Sequence, residues 1–121
     1  MARILIIDDA SFMRGSLEFI LKTAGHEIVG LGKDGAEAVR LCRELKPDLM
    51  TMDILMKGTD GLSALKTIKE QYPAVKVVMV TALGQEKKEE EARRLGAADY
   101  IRKPFKQSDI VETIEKVLKG Q

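Results

Sequence analysis

The sequence predicts an α/β domain with a mainly parallel central sheet and helices on both of its faces. Five short apolar segments alternate along the chain with five longer amphipathic segments. The apolar segments are rich in Ile, Val, Leu and Met at successive positions, which is typical of strands that helices cover on both sides. The connections between segments are short, and this alternation requires right-handed crossovers between parallel strands.

The elements of the first half of the chain have clear boundary signals. They are, in order, a strand at 2–7, a helix at 11–24, a strand at 27–32, a helix at 35–45 and a strand at 48–53. The first helix ends at Gly25, a residue that favours helix termination. The second helix begins after Asp34, with Glu37 three residues later as in a capping box. One face of the first helix is expected to pack on the sheet and consists of Phe12, Ser16, Leu17, Ile20 and Leu21.

The second half of the chain repeats the same alternation. Its elements are a helix at 61–71, a strand at 75–80, a helix at 85–95, a strand at 98–102 and a helix at 107–119. The first of these helices ends before Pro73, which cannot continue a helix, and the second stops at Gly96. The last helix begins near Ser108, and its buried face consists of Ile110, Val111, Ile114, Val117 and Leu118.

Composition narrows the classes of protein that the chain can belong to. Its 121 residues suit one domain, 1–121, and 45% hydrophobic with 32% charged residues is typical of a globular chain. The net charge of +1 argues against a nucleic-acid module. One cysteine excludes an internal disulfide, and no apolar run approaches the ~20 residues that span a membrane. Without a signal peptide, the expected location is the cytoplasm.

Chemically active side chains stand where the predicted strands end. Asp8 and Asp9 follow the first strand, Asp53 ends the third, Thr81 follows the fourth, and Lys103 follows the fifth. The crevice beyond the carboxyl ends of parallel strands is where ligands bind in such sheets. Gathered carboxylates repel one another by about 4 kcal/mol per pair at ~4 Å and an effective dielectric of ~20. A cation would offset that repulsion, and Mg²⁺ prefers carboxylate and phosphate oxygens.

The same residues suit phosphoryl transfer. One carboxylate can act as a nucleophile, as in aspartyl-phosphate chemistry. Lys103 supplies a charge and Thr81 a hydroxyl for phosphoryl oxygens. The competing interpretation of Asp8 and Asp9 is a helix N-cap, a position that Asp favours. An N-cap role explains one of the two aspartates, and from the pair alone both interpretations stay open.

The motifs together resemble receiver domains of two-component response regulators, over the whole chain and in order. They are Ile6-Ile7-Asp8-Asp9-Ala10-Ser11-Phe12-Met13-Arg14, Asp53-Ile54-Leu55-Met56 with Asp60-Gly61, Val80-Thr81-Ala82, and Lys103-Pro104-Phe105. Phe12-Met13-Arg14 and Leu83-Gly84-Gln85 are most similar to the stand-alone, CheY-like chemotaxis regulators. The resemblance implies a flavodoxin-like (βα)5 doubly wound parallel five-stranded sheet of order 2-1-3-4-5.

The resemblance also implies a role for each matching residue. Asp53 would be the phosphoacceptor, and Mg²⁺ would be held by Asp8, Asp9, Asp53 and the backbone carbonyl of Leu55. The phosphoryl group would be bound by Thr81, the backbone N–H of Ala82, and Lys103. Thr81 and Tyr100 would form the switch, and the bond before Pro104 would be cis.

The implied function is a signalling switch that catalyses its own Mg²⁺-dependent phosphorylation and dephosphorylation without being a conventional enzyme. Its phosphoryl donor would be a sensor histidine kinase. Its output would be binding of a downstream protein, such as a flagellar motor switch or another effector, through the fourth helix, fifth strand and fifth helix. The family further implies a monomer that can dimerise on activation, with no nucleic-acid partner and no membrane insertion.

Other functions fit the same fold. An FMN carrier is disfavoured because acidic residues occupy the first turn, where a phosphate needs N–H groups and hydroxyls. A phosphatase acting on small esters through Asp53 would be revealed by turnover. Within the receiver hypothesis, a general phosphorelay shuttle and a receiver cut from a longer DNA-binding regulator remain alternatives.

Two further residue assignments come from local context. His26 follows the Gly25 helix stop and is expected to be a solvated loop residue, whereas Cys42 shares an apolar helical face and is expected in the core. The charged run 86–94 is expected to form a solvated helix face that belongs to the output surface.

Lys57 stands where most receivers have proline. Its free φ and its N–H predict a more mobile loop over 56–60, which could weaken Mg²⁺ binding. The charge of Lys57 would oppose binding too if it points inward. The alternative, an exposed lysine with no effect, stays open.

Overall fold

A computed structural model describes residues 1–120, with the backbone alone described for Thr59. Five strands form one parallel sheet in the order β2-β1-β3-β6-β7. They are β1 Arg3–Ile7, β2 Glu27–Gly32, β3 Leu49–Asp53, β6 Lys76–Thr81 and β7 Asp99–Arg102. A short antiparallel hairpin, β4 Leu55–Met56 and β5 Thr59–Asp60, stands apart from the sheet. Counted within the sheet alone, the order is 2-1-3-4-5, so the flavodoxin-like fold is confirmed.

Five helices connect the strands, and the sequence predicts the ends of all five to within one residue. They are α1 Ser11–Thr23, α2 Gly35–Leu45, α3 Gly61–Gln71, α4 Glu86–Arg94 and α5 Gln107–Leu118. The predicted cap of α2 is confirmed, because the side chain of Asp34 accepts a hydrogen bond from the N–H of Glu37 at 2.8 Å. Gly25 follows α1 with φ of 95°, a conformation that glycine adopts without strain. Over residues 1–120, every helix is too short or too polar to cross a membrane.

Two apolar layers cover the sheet, one on each face. Helices α2, α3 and α4 pack on one face, and α1 and α5 pack on the other. Cys42 is buried in the first layer, and burial raises the pKa of its thiol, so the core assignment is confirmed. Because both faces of the sheet are covered, polar side chains can meet solvent and ligands only at its edges, and the candidate site residues lie at the carboxyl edge.

Phe12 departs from the buried face predicted for α1. Its side chain is 84% exposed, whereas Leu17, Ile20 and Leu21 from the same predicted face are buried. The helix starts at Ser11, four residues after β1 ends at Ile7. Met13, the next residue in the same turn, packs on the core instead, so Phe12 points away from it.

The prediction for His26 is wrong, because its side chain is buried. Its Nδ1 accepts a hydrogen bond from the N–H of Ala2 at 3.1 Å, and its Nε2 lies 3.3 Å from Oε1 of Glu115 in α5. The prediction of a fully solvated charged face on α4 is also wrong at Glu89, which is only 3% exposed.

Candidate functional site

The carboxyl edge of the sheet gathers three aspartates. The pairing of Ile7 with Met52 in neighbouring strands sets the residues that follow them, Asp8 and Asp53, side by side. One carboxylate oxygen from each of Asp8, Asp9 and Asp53 lies within 4.8 Å of the others. The sequence therefore predicts correctly which acidic side chains converge.

Asp8 is buried and held by its neighbours along the chain. Its N–H donates to the carbonyl of Gly32 at 3.0 Å, and its Oδ1 accepts from the N–H of Ala10 at 2.9 Å. Its carbonyl accepts from Nη1 of Arg14 at 2.6 Å. The N-cap of α1 is Ala10, with no side-chain cap, so the N-cap interpretation of the aspartates is wrong.

Asp9 is exposed and contacts the loop after β3. Its Oδ2 accepts a hydrogen bond of 2.8 Å from the backbone N–H of Lys57. Lys57 and Gly58 form the turn of the β4–β5 hairpin, and Gly58 takes φ of 77° there. The N–H that a proline would lack is thus used, because it binds a carboxylate of the acidic cluster.

Asp53 lies at the end of β3 with its side chain almost fully buried. Its Oδ1 accepts from the N–H of Leu55 at 3.2 Å, and its Oδ2 lies 3.1 Å from Nζ of Lys103. Burial raises the pKa of the Asp53 carboxyl, the lysine opposes that shift, and the charge of Asp8 adds to it. A carboxylate made more basic in this way is a better nucleophile once ionised.

Lys103 follows β7, an edge strand of the sheet, and its side chain extends to the acidic cluster. The peptide bond to Pro104 is cis, as the family resemblance implies, and the N–H of Lys103 donates to the carbonyl of Thr81 at 2.7 Å. Its Nζ lies 3.1 Å from Asp53 and 3.7 Å from Asp8. Burial opposes the lysine charge, but the two carboxylates outweigh it and raise the pKa of Lys103.

Thr81 ends β6 next to the site. The residue is buried, and its hydroxyl lies 3.3 Å from the carbonyl oxygen of Ala82. Tyr100, its predicted switch partner, is half-buried on β7 and packs against the core. The guanidinium of Arg93 lies 4.6 Å from the centre of the Tyr100 ring. Thr81 and Tyr100 thus lie between the acidic site and the α4–β7 surface.

Gly61 supports the site through a close approach of two backbone segments. A Cβ on this residue would collide with the backbone carbonyl oxygen of Asp53. Its N–H donates to the carbonyl of Ile54 at 2.8 Å, and Asp60 caps α3 through a bond from the N–H of Leu62. The only sequence signal is the Asp-Gly pair, which by itself predicts no more than a turn.

The donor set suits a hard divalent cation. Among the residues that the structure describes, Oδ2 of Asp8 is buried and has no hydrogen-bond partner. Three carboxylates face one ammonium group, so the cluster carries excess negative charge. Oxygen ligands of this kind, few in number and open to water, are those that Mg²⁺ accepts. Asp8, Asp9 and Asp53 therefore form a group that could hold a metal ion.

Comparisons with known proteins agree with this geometry. The model of the family described as "Response regulator receiver domain" matches residues 4–115. The chemotaxis protein CheY of Thermotoga maritima is 45% identical over 117 residues, which cover 97% of this chain and 98% of that protein. Protein CcdB of Bacillus subtilis is 42% identical over 118 residues, covering 98% of each.

A solved structure supports the same assignment. The response regulator domain of Thermotoga maritima CheB superposes with a TM-score of 0.86 at 40% identity, covering 97% of this chain and 93% of that chain. The family model, the relatives and the fold are thus consistent over almost the whole length. The chain belongs to the response regulator receiver domains.

Proposed function

We propose that this protein is a phosphorylation-activated switch in which Asp53 accepts a phosphoryl group from a sensor histidine kinase, with Mg²⁺ bound at Asp8, Asp9, Asp53 and the carbonyl of Leu55. The observation that carries the proposal is the convergence of three carboxylates and Lys103 at one edge of the sheet. The whole chain, 1–121, would act as one receiver domain.

The residues of the site suit in-line transfer to a carboxylate. An oxygen of Asp53 would form the new bond to phosphorus while the bond from phosphorus to the donor nitrogen breaks. Lys103, now paired with Asp53, would move its charge onto a phosphoryl oxygen. The hydroxyl of Thr81 and the N–H of Ala82 would bind the others. When bound, Mg²⁺ would neutralise charge on the carboxylates and on the phosphoryl oxygens.

The output would be a shift between two states of the surface formed by α4, β7 and α5. A phosphoryl group adds about 1.5 to 2 negative charges, and Thr81 would move toward it. That movement would leave room for Tyr100 to turn inward. The change is a shift in the populations of existing states rather than a new fold.

The relatives favour chemotaxis as the pathway. The Thermotoga maritima relative is a chemotaxis protein and matches nearly end to end. A downstream target such as a flagellar switch protein is therefore the first partner to test. Phosphorylation by a purified chemotaxis kinase, with a kinase from an unrelated two-component pair as control, would separate this assignment from a general phosphorelay shuttle.

The assignment of Asp53 can be tested directly. Incubation with acetyl phosphate and Mg²⁺ should add one phosphoryl group to the intact protein, as read by mass spectrometry. Asp53→Asn should abolish the addition, and EDTA should prevent it. The matched control is Asp48→Asn. Asp48 is exposed and precedes β3, whereas Asp53 ends that strand, so this variant should label fully. Full labelling of Asp53→Asn would overturn the proposal.

A further inference from the structure

Two arginine side chains lie over the ring of Tyr100 at the junction of α4 and β7. The guanidinium of Arg93, in the last turn of α4, is 4.6 Å from the ring centre, and that of Arg102 is 5.4 Å from it. A guanidinium within about 6 Å of an aromatic ring is attracted by the negative charge on the face of the ring. Both arginines therefore stabilise the half-buried position that the ring occupies.

A carboxylate pairs with each of the two guanidinium groups. Nη2 of Arg93 lies 3.4 Å from Oδ1 of Asp99, the residue before Tyr100 on β7. The same oxygen accepts a hydrogen bond of 2.8 Å from the backbone N–H of Tyr100. Arg102 forms a bidentate pair with Glu89 of α4, with Nη2 2.8 Å from Oε1 and Nε 3.2 Å from Oε2. These pairs hold both guanidinium groups near the ring.

The ring lies between a groove that is open to solvent and the core. Tyr100 and the two arginines line the same groove between α4 and β7, and both arginine side chains are about half exposed. Tyr100 also packs against the apolar layer that α4 shares. An inward turn would move the ring out of this groove and toward the core. Such a turn would therefore break its contact with Arg93.

We infer that Arg93 is a positioning residue for Tyr100, whose ring it holds in the groove against the inward turn that accompanies phosphorylation of Asp53. The inference rests on the proposed function, in which Tyr100 turns inward. Arg93 therefore favours the resting state. Arg102 lies farther from the ring, and its loss would leave the buried carboxylate of Glu89 unpaired, so Arg93 is the residue to replace.

Beryllofluoride, an analogue of the phosphoryl group, tests the inference without any kinase. With Mg²⁺ present, its affinity can be measured from backbone amide shifts around Asp53. Arg93→Met keeps a long side chain but removes the guanidinium, so more of the protein should be in the competent state. The affinity should then rise about two- to fivefold. Arg94, the next residue, is exposed and has no ring contact within residues 1–120, so Arg94→Met should bind like the parent protein.

Changes at Tyr100 show whether the gain acts through the ring. Tyr100→Phe keeps the aromatic face, so Arg93→Met should still raise the affinity in that background. Tyr100→Leu removes the face, so Arg93→Met should give no further gain there. The NMR resonances of the Tyr100 ring provide a second readout. Without beryllofluoride, Arg93→Met should shift them toward their positions in the beryllofluoride-bound parent, and Arg93→Lys, which keeps the cation, should shift them less.

Three results would overturn the inference. The first is an unchanged beryllofluoride affinity in Arg93→Met. The second is an equal gain in Arg94→Met, which would mean that the loss of any positive charge from α4 raises the affinity. The third is a gain that persists in the Tyr100→Leu background, which would mean that a loosened helix and not the ring contact sets the affinity. Failure of the parent protein to bind beryllofluoride would instead refute the proposed function, and the inference with it.

Discussion

The backbone N–H of Lys57 gives the sharpest prediction about metal binding. From the sequence, a residue without the proline ring suggests a looser loop and weaker Mg²⁺ binding. The structure gives that N–H a partner, Oδ2 of Asp9 at 2.8 Å, within a hairpin whose strands pair Leu55 with Asp60. The bond holds in place one oxygen of a carboxylate that is proposed to bind Mg²⁺. We therefore expect the N–H to favour Mg²⁺ binding.

Lys57→Pro removes the N–H and little else. Lys57 does not take a positive φ, and Met56 before it is extended, so the ring fits the turn. A hydrogen bond to a charged group contributes about 1.5–3 kcal/mol when buried. Asp9 is exposed, so we discount this to ~0.5–1 kcal/mol, which is about two- to fivefold in Kd. Mg²⁺ binding should weaken by that factor.

Lys57→Ala is the matched control, because it keeps the N–H and removes only the charge. The lysine side chain is exposed and screened by salt, so Mg²⁺ binding should stay within about twofold of the parent. Isothermal calorimetry on the unphosphorylated protein measures both variants. Amide hydrogen exchange should also show the Lys57 N–H protected before metal is added. Tighter binding in Lys57→Pro than in Lys57→Ala would refute this reasoning and restore the loose-loop account.

Three further predictions concern the site and its supports. Gly61→Ala should lower the free energy of unfolding by about 1–3 kcal/mol, because its Cβ collides with the Asp53 carbonyl; an unchanged urea midpoint would contradict this. Asp8→Asn should weaken Mg²⁺ binding roughly tenfold or more by calorimetry, and parent-like binding would exclude Asp8 as a ligand. Arg102 and then Thr81 hold the pKa of the Glu89 carboxyl below its usual ~4.3. The ionised carboxylate therefore stabilises the fold at neutral pH, and this stabilisation is lost as the pH falls through the lowered pKa of the folded state. Glu89→Gln should therefore lose less stability on acidification than the parent, and parallel stability curves would contradict this.

The sequence predicts the sheet, the helices and the acidic cluster because these depend on local patterns. Apolar runs and helical periodicity repeat within a few residues, and parallel strands bring their carboxyl ends to one edge whatever the loops do. Asp8, Asp9, Asp53 and Lys103 follow from that rule alone. Leu55 and Ala82 enter only through the family resemblance, because a backbone group leaves no signal in the residue type.

The ion pair between α4 and β7 does not follow from local patterns. The charged run of α4 suggests a solvated face, but the packing of α4 on β6 and β7 turns one residue of that run, Glu89, inward. Its partner Arg102 is 13 positions away along the chain. Periodicity in one helix reports its average exposure and cannot single out one carboxylate that a neighbouring strand recruits.

His26 shows the same limit away from the site. Its position after a helix-ending glycine suggests solvent, yet the backbone of Ala2 and the carboxylate of Glu115 meet its two ring nitrogens. The ring lies between the two, with Nδ1 accepting from the N–H of Ala2 at 3.1 Å and Nε2 3.3 Å from Oε1 of Glu115. The ring thus ties the start of β1 to α5. Ala2 and Glu115 lie 24 and 89 positions from His26 along the chain, so no local pattern around His26 could indicate its burial.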